Sequence, residues 1–128
     1  RLSICWIIGC LLGLVACRPE VPAQAEQGET DVFPDYREVT VPVNMAPPNF
    51  KLVDQQLQGI TRLKTMNREL IIAADHGVFN LPEKDWKVLS QDAQGKQIDV
   101  TVYFREPQSD WKQMSFPIYV SRDSVDAY

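Results

Sequence analysis

The residues most able to do chemistry sit at Leu14-Val15-Ala16-Cys17, the end of an apolar run with no charged side chain after Arg1. Leucine three positions before a cysteine, with alanine directly before it, is the pattern of a lipoprotein cleavage site. The small residue lets the backbone lie in a peptidase cleft, and the Cys17 thiol is the nucleophile that accepts a diacylglycerol group. The stretch from Ile4 to Val15 suits the apolar region of a signal peptide and falls short of the roughly 18 to 20 residues that span hydrocarbon. Gly9 and Gly13 weaken it further as a permanent membrane helix. The spacing therefore implies cleavage read from Leu14, Ala16 and Cys17, with lipid carried on Cys17. An uncleaved anchor helix holding an incidental cysteine is the competing reading, and length, flank and cleavage residues all weigh against it.

Other candidates for chemistry are weaker. His76, the sole histidine, stands beside Asp75 in a turn before Gly77, and the serines form no nucleophile-elbow pattern. One histidine with scattered carboxylates lacks the ligand spacing of a metal site or a calcium loop. Glu83 or Asp85 with Asp92 reads as solvated helix carboxylates rather than a glycosidase pair. Trp86 belongs to the apolar face of a helix. Trp111 lies in a loop and, with Tyr103 and Tyr119, is the candidate for ligand contact, since an aromatic ring can stack on a sugar. The expectation is a non-enzymatic chain with no catalytic residues, no metal and no cofactor.

Charge and cysteine count narrow the partners. The chain has 13 basic and 17 acidic residues; loss of the leader removes Arg1 and leaves a net charge of −5. Nucleic-acid binders need a basic footprint, so nucleic acid is not an expected partner. No polybasic segment assists at an anionic membrane, so attachment rests on lipid. Each buried methylene contributes about 0.8 kcal/mol and a single chain anchors only marginally, so two or three acyl chains are needed on Cys17. Cys5 and Cys10 leave with the leader, so the mature chain has no second thiol for a disulfide, zinc or redox chemistry.

The elements that position these residues follow from periodicity. Residues 18–31 (RPEVPAQAEQGETD) are rich in Pro, Gln and Glu and read as a flexible tether. Val39, Val41 and Val43 alternate with polar residues, and Pro42 places that strand at an edge or bulge. Phe50 and Leu52 begin a second strand, Gly59–Lys64 a third, and Leu70–Ala74 a near-continuous apolar fourth. Asp75-His76-Gly77 is a tight turn. Pro82 opens a helix with Glu83 and Asp85 in its first turn; Trp86, Leu89 and Ala93 share one face, and Gly95 ends it. Ile98, Val100, Val102 and Phe104 then alternate, as do Met114, Phe116, Ile118 and Val120 after the turn at residues 106–110, which predicts a hairpin. Pro117 suggests that its second strand is an edge. The fold class is mainly β, a small immunoglobulin-like β-sandwich with one α-helix, after a lipoprotein signal peptide. The organisation is signal peptide 1–16, lipidated Cys17 and tether 17–32, sandwich 33–121, and a connection to a downstream domain at 122–128.

Phe33-Pro-Asp-Tyr-Arg-Glu-Val-Thr-Val-Pro-Val-Asn-Met-Ala-Pro-Pro-Asn-Phe50 and Phe116-Pro-Ile-Tyr-Val-Ser-Arg-Asp-Ser-Val-Asp-Ala-Tyr128 resemble the N-terminal region of large Bacteroidetes lipoproteins of the TolB-like, WD-type β-propeller kind. The resemblance covers residues 33–128. It implies a lipobox and tether, then a small β-rich domain, then a propeller beyond Tyr128, and it carries over no catalytic residues. The expected location is the bacterial cell envelope, lipid-anchored at the outer membrane on its periplasmic face or at the cell surface. The expected partners are that membrane, through Cys17, and an envelope protein or a glycan. The two functional classes that remain are an accessory or interaction module beside a propeller and a glycan- or other ligand-binding sandwich.

Overall fold

The computed structural model describes residues 19–37 and 39–122. The lipobox residues Leu14, Ala16 and Cys17 and the stretch 123–128 lie outside the described residues. In chain order the elements are β1 (Glu26–Gln27), β2 (Val32–Phe33), β3 (Val39–Val41), β4 (Phe50–Leu52), β5 (Gln58–Lys64), β6 (Glu69–Ala73), β7 (Val78–Phe79), α1 (Glu83–Asp92), β8 (Gln97–Arg105) and β9 (Lys112–Val120). They form a mainly β, sandwich-like domain of two unequal sheets with one helix among the described residues.

The two nine-residue strands that alternate most cleanly, β8 and β9, form the centre as an antiparallel hairpin, with Val100 opposite Phe116 and Val102 opposite Met114. Beyond β8 the larger sheet continues through β5 to β6, both antiparallel. On the other side of β9, β1 and β3 both run parallel to it, β1 against Lys112 and Gln113 and β3 against Ile118 to Val120. The smaller sheet has the order β2-β4-β7.

Because side chains alternate across a strand, register assigns the faces. Leu63 lies between Leu70 and Val100, and Ile98 lies opposite Ile118, so one face of the large sheet is built mainly of apolar side chains. Ile98, Val100 and Val102 are wholly inaccessible, and each such side chain contributes about 1.5 to 3 kcal/mol of burial. Two elements cover this face. The small sheet supplies Val32, Phe50, Leu52 and Phe79, with the Phe50 and Phe79 ring centroids 4.8 Å apart. It packs so closely that a Cβ on Gly59 would meet Phe79 at 2.8 Å and Leu52 at 2.9 Å. That close approach is why the position is glycine.

Helix α1 covers the rest. Trp86, Leu89 and Ser90 are its buried residues. The Trp86 indole N–H donates to the Met45 carbonyl at 2.9 Å, and the Ser90 hydroxyl to the Val43 carbonyl at 3.3 Å. Those bonds satisfy two carbonyls of the irregular stretch after β3. Pro82 caps the helix rather than occupying its first turn, a displacement of one residue. Past the helix Gly95 adopts φ +74° and its N–H reaches the Val120 carbonyl at 2.8 Å. Asp92 ends α1, where the dipole disfavours an anion. Hydrogen bonds from the Thr65 hydroxyl and, at 3.2 Å, the Asn67 amide offset that and tie the helix to the β5–β6 turn.

Four expectations need correction. Strand pairing begins inside the segment read as a tether: β1 and β2 both start before residue 33. The Glu26 N–H donates to Trp111 at 3.1 Å and that of Gly28 to Gln113 at 3.0 Å. Backbone bonds to an open strand side need no apolar pattern, so composition was silent there. Second, β9 is not an edge. Pro117 falls between the stretches paired with β1 and β3, so its missing N–H interrupts neither ladder. Third, the strand read as near-continuously apolar, β6, is the outer strand of its sheet, and Leu70, Ile71 and Ile72 are only half-buried. Fourth, β7 is an added strand, reached through a two-residue turn in which His76 and Gly77 both have positive φ, at 52° and 79°. That is the geometry of a type I′ hairpin.

Candidate functional site

The face of the large sheet turned away from the core carries the ligand-contact candidates. Tyr103 and Gln113 are directly opposite there, and one register step beyond Phe104–Lys112 sets Arg105 opposite Trp111. The Arg105 guanidinium carbon lies 4.3 Å from the centroid of the Trp111 ring, a contact worth about 0.5 to 1 kcal/mol at an exposed position. The Arg105 Nε–H donates to Gln58 Oε1 at 2.9 Å. Arg105 is thus held on two sides. The chain ahead of β1 forms the adjoining wall, with the Gln113 amide donating to the Ala25 carbonyl at 2.9 Å. Gln24, Ala25, Glu26, Arg105, Ser109, Asp110 and Trp111 enclose an open cleft of about 240 Å³.

The three aromatic candidates do not converge. Trp111 is half-buried, with Arg105 across one face of its ring. Tyr103 is only 8% accessible, so its ring is not presented to solvent, which corrects the expectation of an exposed contact. Tyr119 is exposed but stands opposite Gln97, six residues along β8 from Tyr103 and therefore about 20 Å away. It borders a separate depression with Gly95, Lys96 and Arg122. Trp86 is 1% accessible and belongs to the core. Among the described residues these rings build no shared flat platform.

The sites weighed for catalysis stay apart as well. His76 Nδ1 lies 2.7 Å from Asp75 Oδ1, and the two side chains are 96% and 80% accessible in their turn. Glu83 and Asp92 stand at opposite ends of α1, about 13 Å apart by helical rise and outside the spacing of a glycosidase pair. The Thr65 hydroxyl, then the Asn67 amide, pull the Asp92 carboxyl below its ordinary value. Asp35 is pulled down to about 2 by hydrogen bonds from the Arg37 side chain and backbone. Both carboxylates serve local structure. Among the described residues no three His, Cys, Asp or Glu side chains are grouped to hold a metal ion. Nor is any helix among them long and apolar enough to cross a membrane.

Arg105 and the wall at Gln24–Glu26 are the parts of the cleft that sequence reasoning missed. A signal for Arg105 was present: the hairpin alternation that faces Tyr103 outward also faces Arg105 outward, and the loop length brings it across from Trp111. No comparable signal marked residues 24–26. No family model, no curated protein and no solved structure matches this chain.

Proposed function

We propose that the chain is a lipid-anchored protein of the bacterial cell envelope. Acyl groups on Cys17 hold it to the outer membrane, at the periplasmic face or the cell surface. Its β-sandwich is a non-enzymatic accessory or interaction module ahead of a β-propeller of the TolB-like kind. The observation that carries the reading is the uncharged apolar run closing on Leu14-Val15-Ala16-Cys17, placed directly before a folded β domain. The geometry is in keeping with it: the His76–Asp75 pair and the Asp35 and Asp92 carboxylates are engaged in turn and helix contacts. Replacement of Cys17 by Ala, expressed in a bacterium with the lipoprotein pathway, is expected to abolish incorporation of labelled palmitate and release the protein from the membrane fraction. Retention of that variant through alkaline extraction refutes the reading.

A second reading, a glycan-binding sandwich, has one observation in its favour, the open cleft at Trp111. The dispersal of Trp111, Tyr103 and Tyr119 weighs against it. Retention on immobilised envelope glycans that is lost in Trp111→Ala would support it, and retention unchanged by that substitution would remove it.

A further inference from the structure

We propose that the cleft between Arg105, Trp111 and the chain at Gln24–Glu26 binds the headgroup of a zwitterionic phospholipid, with the phosphate on Arg105 and the ammonium toward Asp110 and Glu26. Its access to such a lipid rests on the membrane anchorage through Cys17 proposed above.

The argument begins with Arg105. Its Nε–H is engaged by Gln58 and its plane rests on Trp111, while its terminal amino groups have no partner among the described residues. A guanidinium already fixed in orientation presents a planar fork that matches two phosphate oxygens. Asp110 and Glu26 line the same cleft, and neither pairs with Arg105 or with any other cation among the described residues. A simple anion would be repelled by these carboxylates and a simple cation by Arg105. A ligand that joins the two charges a few bonds apart satisfies both sides. At about 240 Å³, with polar groups around it, the cleft suits a headgroup and not an acyl chain.

Chain length supplies the membrane. Gln24, part of the cleft wall, is seven residues from Cys17, a reach of at most about 25 Å even when fully extended. An anchored Cys17 therefore keeps the cleft close to the headgroup layer. Tethering raises the effective headgroup concentration, so a weak intrinsic site is sufficient. The net charge of −5 after cleavage leaves nothing to favour anionic lipid, so the zwitterionic class is the one that fits.

The test is an NMR titration of the isotopically labelled protein, following the Arg105 Nε–H and Trp111 indole N–H signals. Glycerophosphoethanolamine, a soluble headgroup without acyl chains, is expected to shift both saturably. Inorganic phosphate and ethanolamine, each alone, should bind at least about tenfold more weakly, a difference of about 1.4 kcal/mol. Arg105→Gln should abolish the response, and Asp110→Asn, a change in an exposed loop, should weaken it while the rest of the spectrum stays in place. Nanodiscs of phosphatidylethanolamine carrying the acylated chain should move the same two signals without added ligand. Absence of a saturable shift overturns the proposal, as does a response to phosphate equal to that of the headgroup, or one unaltered by Asp110→Asn. The mass at Cys17 reports separately on anchorage. An unacylated cysteine with a positive soluble titration sinks the anchor and keeps the site.

Discussion

Thr61 offers a direct test of the packing. It sits in β5 between Val102 and Ile72, on the core side of the large sheet, wholly inaccessible, and its hydroxyl oxygen has no hydrogen-bond partner. An unpaired hydroxyl in an apolar interior costs about 1 to 3 kcal/mol in proteins. Valine has the same branched shape with a methyl in place of the hydroxyl. Thr61→Val removes the penalty without opening a cavity, so it should stabilise the domain by about 1 to 2 kcal/mol. In urea, where a domain of this size has an m-value of about 1 to 1.5 kcal/mol per M, the midpoint should rise by about 1 M with m unchanged. Thr61→Ser keeps the hydroxyl and deletes the methyl; it should lower stability by about 1 kcal/mol through the space left behind. The reasoning is refuted if Thr61→Val unfolds at the wild-type midpoint or below it. A lower midpoint would show that the hydroxyl is satisfied and that replacing it removes a bond.

Gly59→Ala should destabilise by about 1 to 3 kcal/mol, because the new methyl meets Phe79 and Leu52 below 3.0 Å and both of those side chains are wholly buried; a neutral urea midpoint would contradict the close packing of the two sheets. Val102→Ala should cost about 1 to 3 kcal/mol in the same assay, and Thr101→Ala, whose hydroxyl bonds Ser115 at 3.1 Å on the outer face, much less; equal losses would refute the assignment of faces. Asp35, held down to about 2 from 3.8 by the Arg37 hydrogen bonds, contributes stability that is present above pH 3.8 and lost as pH falls through about 2. Its carboxyl carbon should titrate near 2 by NMR and move back toward 3.8 in Arg37→Gln, and an unmoved midpoint would remove the ion pair as the cause.

Legibility in the sequence followed the number of alternating residues. Strands β8 and β9 each carry four inward apolar side chains, and α1 carries three on one face; periodicity located all of them. Strand β5 was found with its middle in place. The strands that escaped, β1, β2 and β7, are two residues long. Two residues establish no period, and the strands they pair with lie far away in the chain. The misassigned edge has a similar origin. Proline removes a donor from one side of a strand, but sequence does not say whether a neighbour lies there, and at Pro117 the neighbours stop on either side. The site was less legible than the fold. Trp111 stood out by its type and loop position, whereas Arg105 became part of the cleft through register and Gln24–Glu26 through a pairing that composition argued against.

That pairing changes the meaning of the segment after the lipobox. A chain free from residue 18 to 32 would let the domain wander widely above an anchored Cys17. With Glu26 and Gln27 laid along β9, Gly28 bonded to Gln113, and Val32 and Phe33 paired to β4, the chain is fastened to the domain at two places before the sandwich proper. The span left between Cys17 and the cleft wall at Gln24 reaches about 25 Å at full extension. The parallel sense of β1 adds a direction. Since β1 and β9 run the same way and β9 begins at Lys112, the chain ahead of Glu26 emerges at the end of the hairpin that bears Trp111. Tyr119, Lys96 and Arg122 lie at the opposite end of the strands. An anchor on Cys17 would therefore hold the domain by its Trp111 end and leave the Tyr119 end free to meet whatever follows or approaches. It is the backbone pairing of two residues, and not any charged or apolar patch, that would set this orientation.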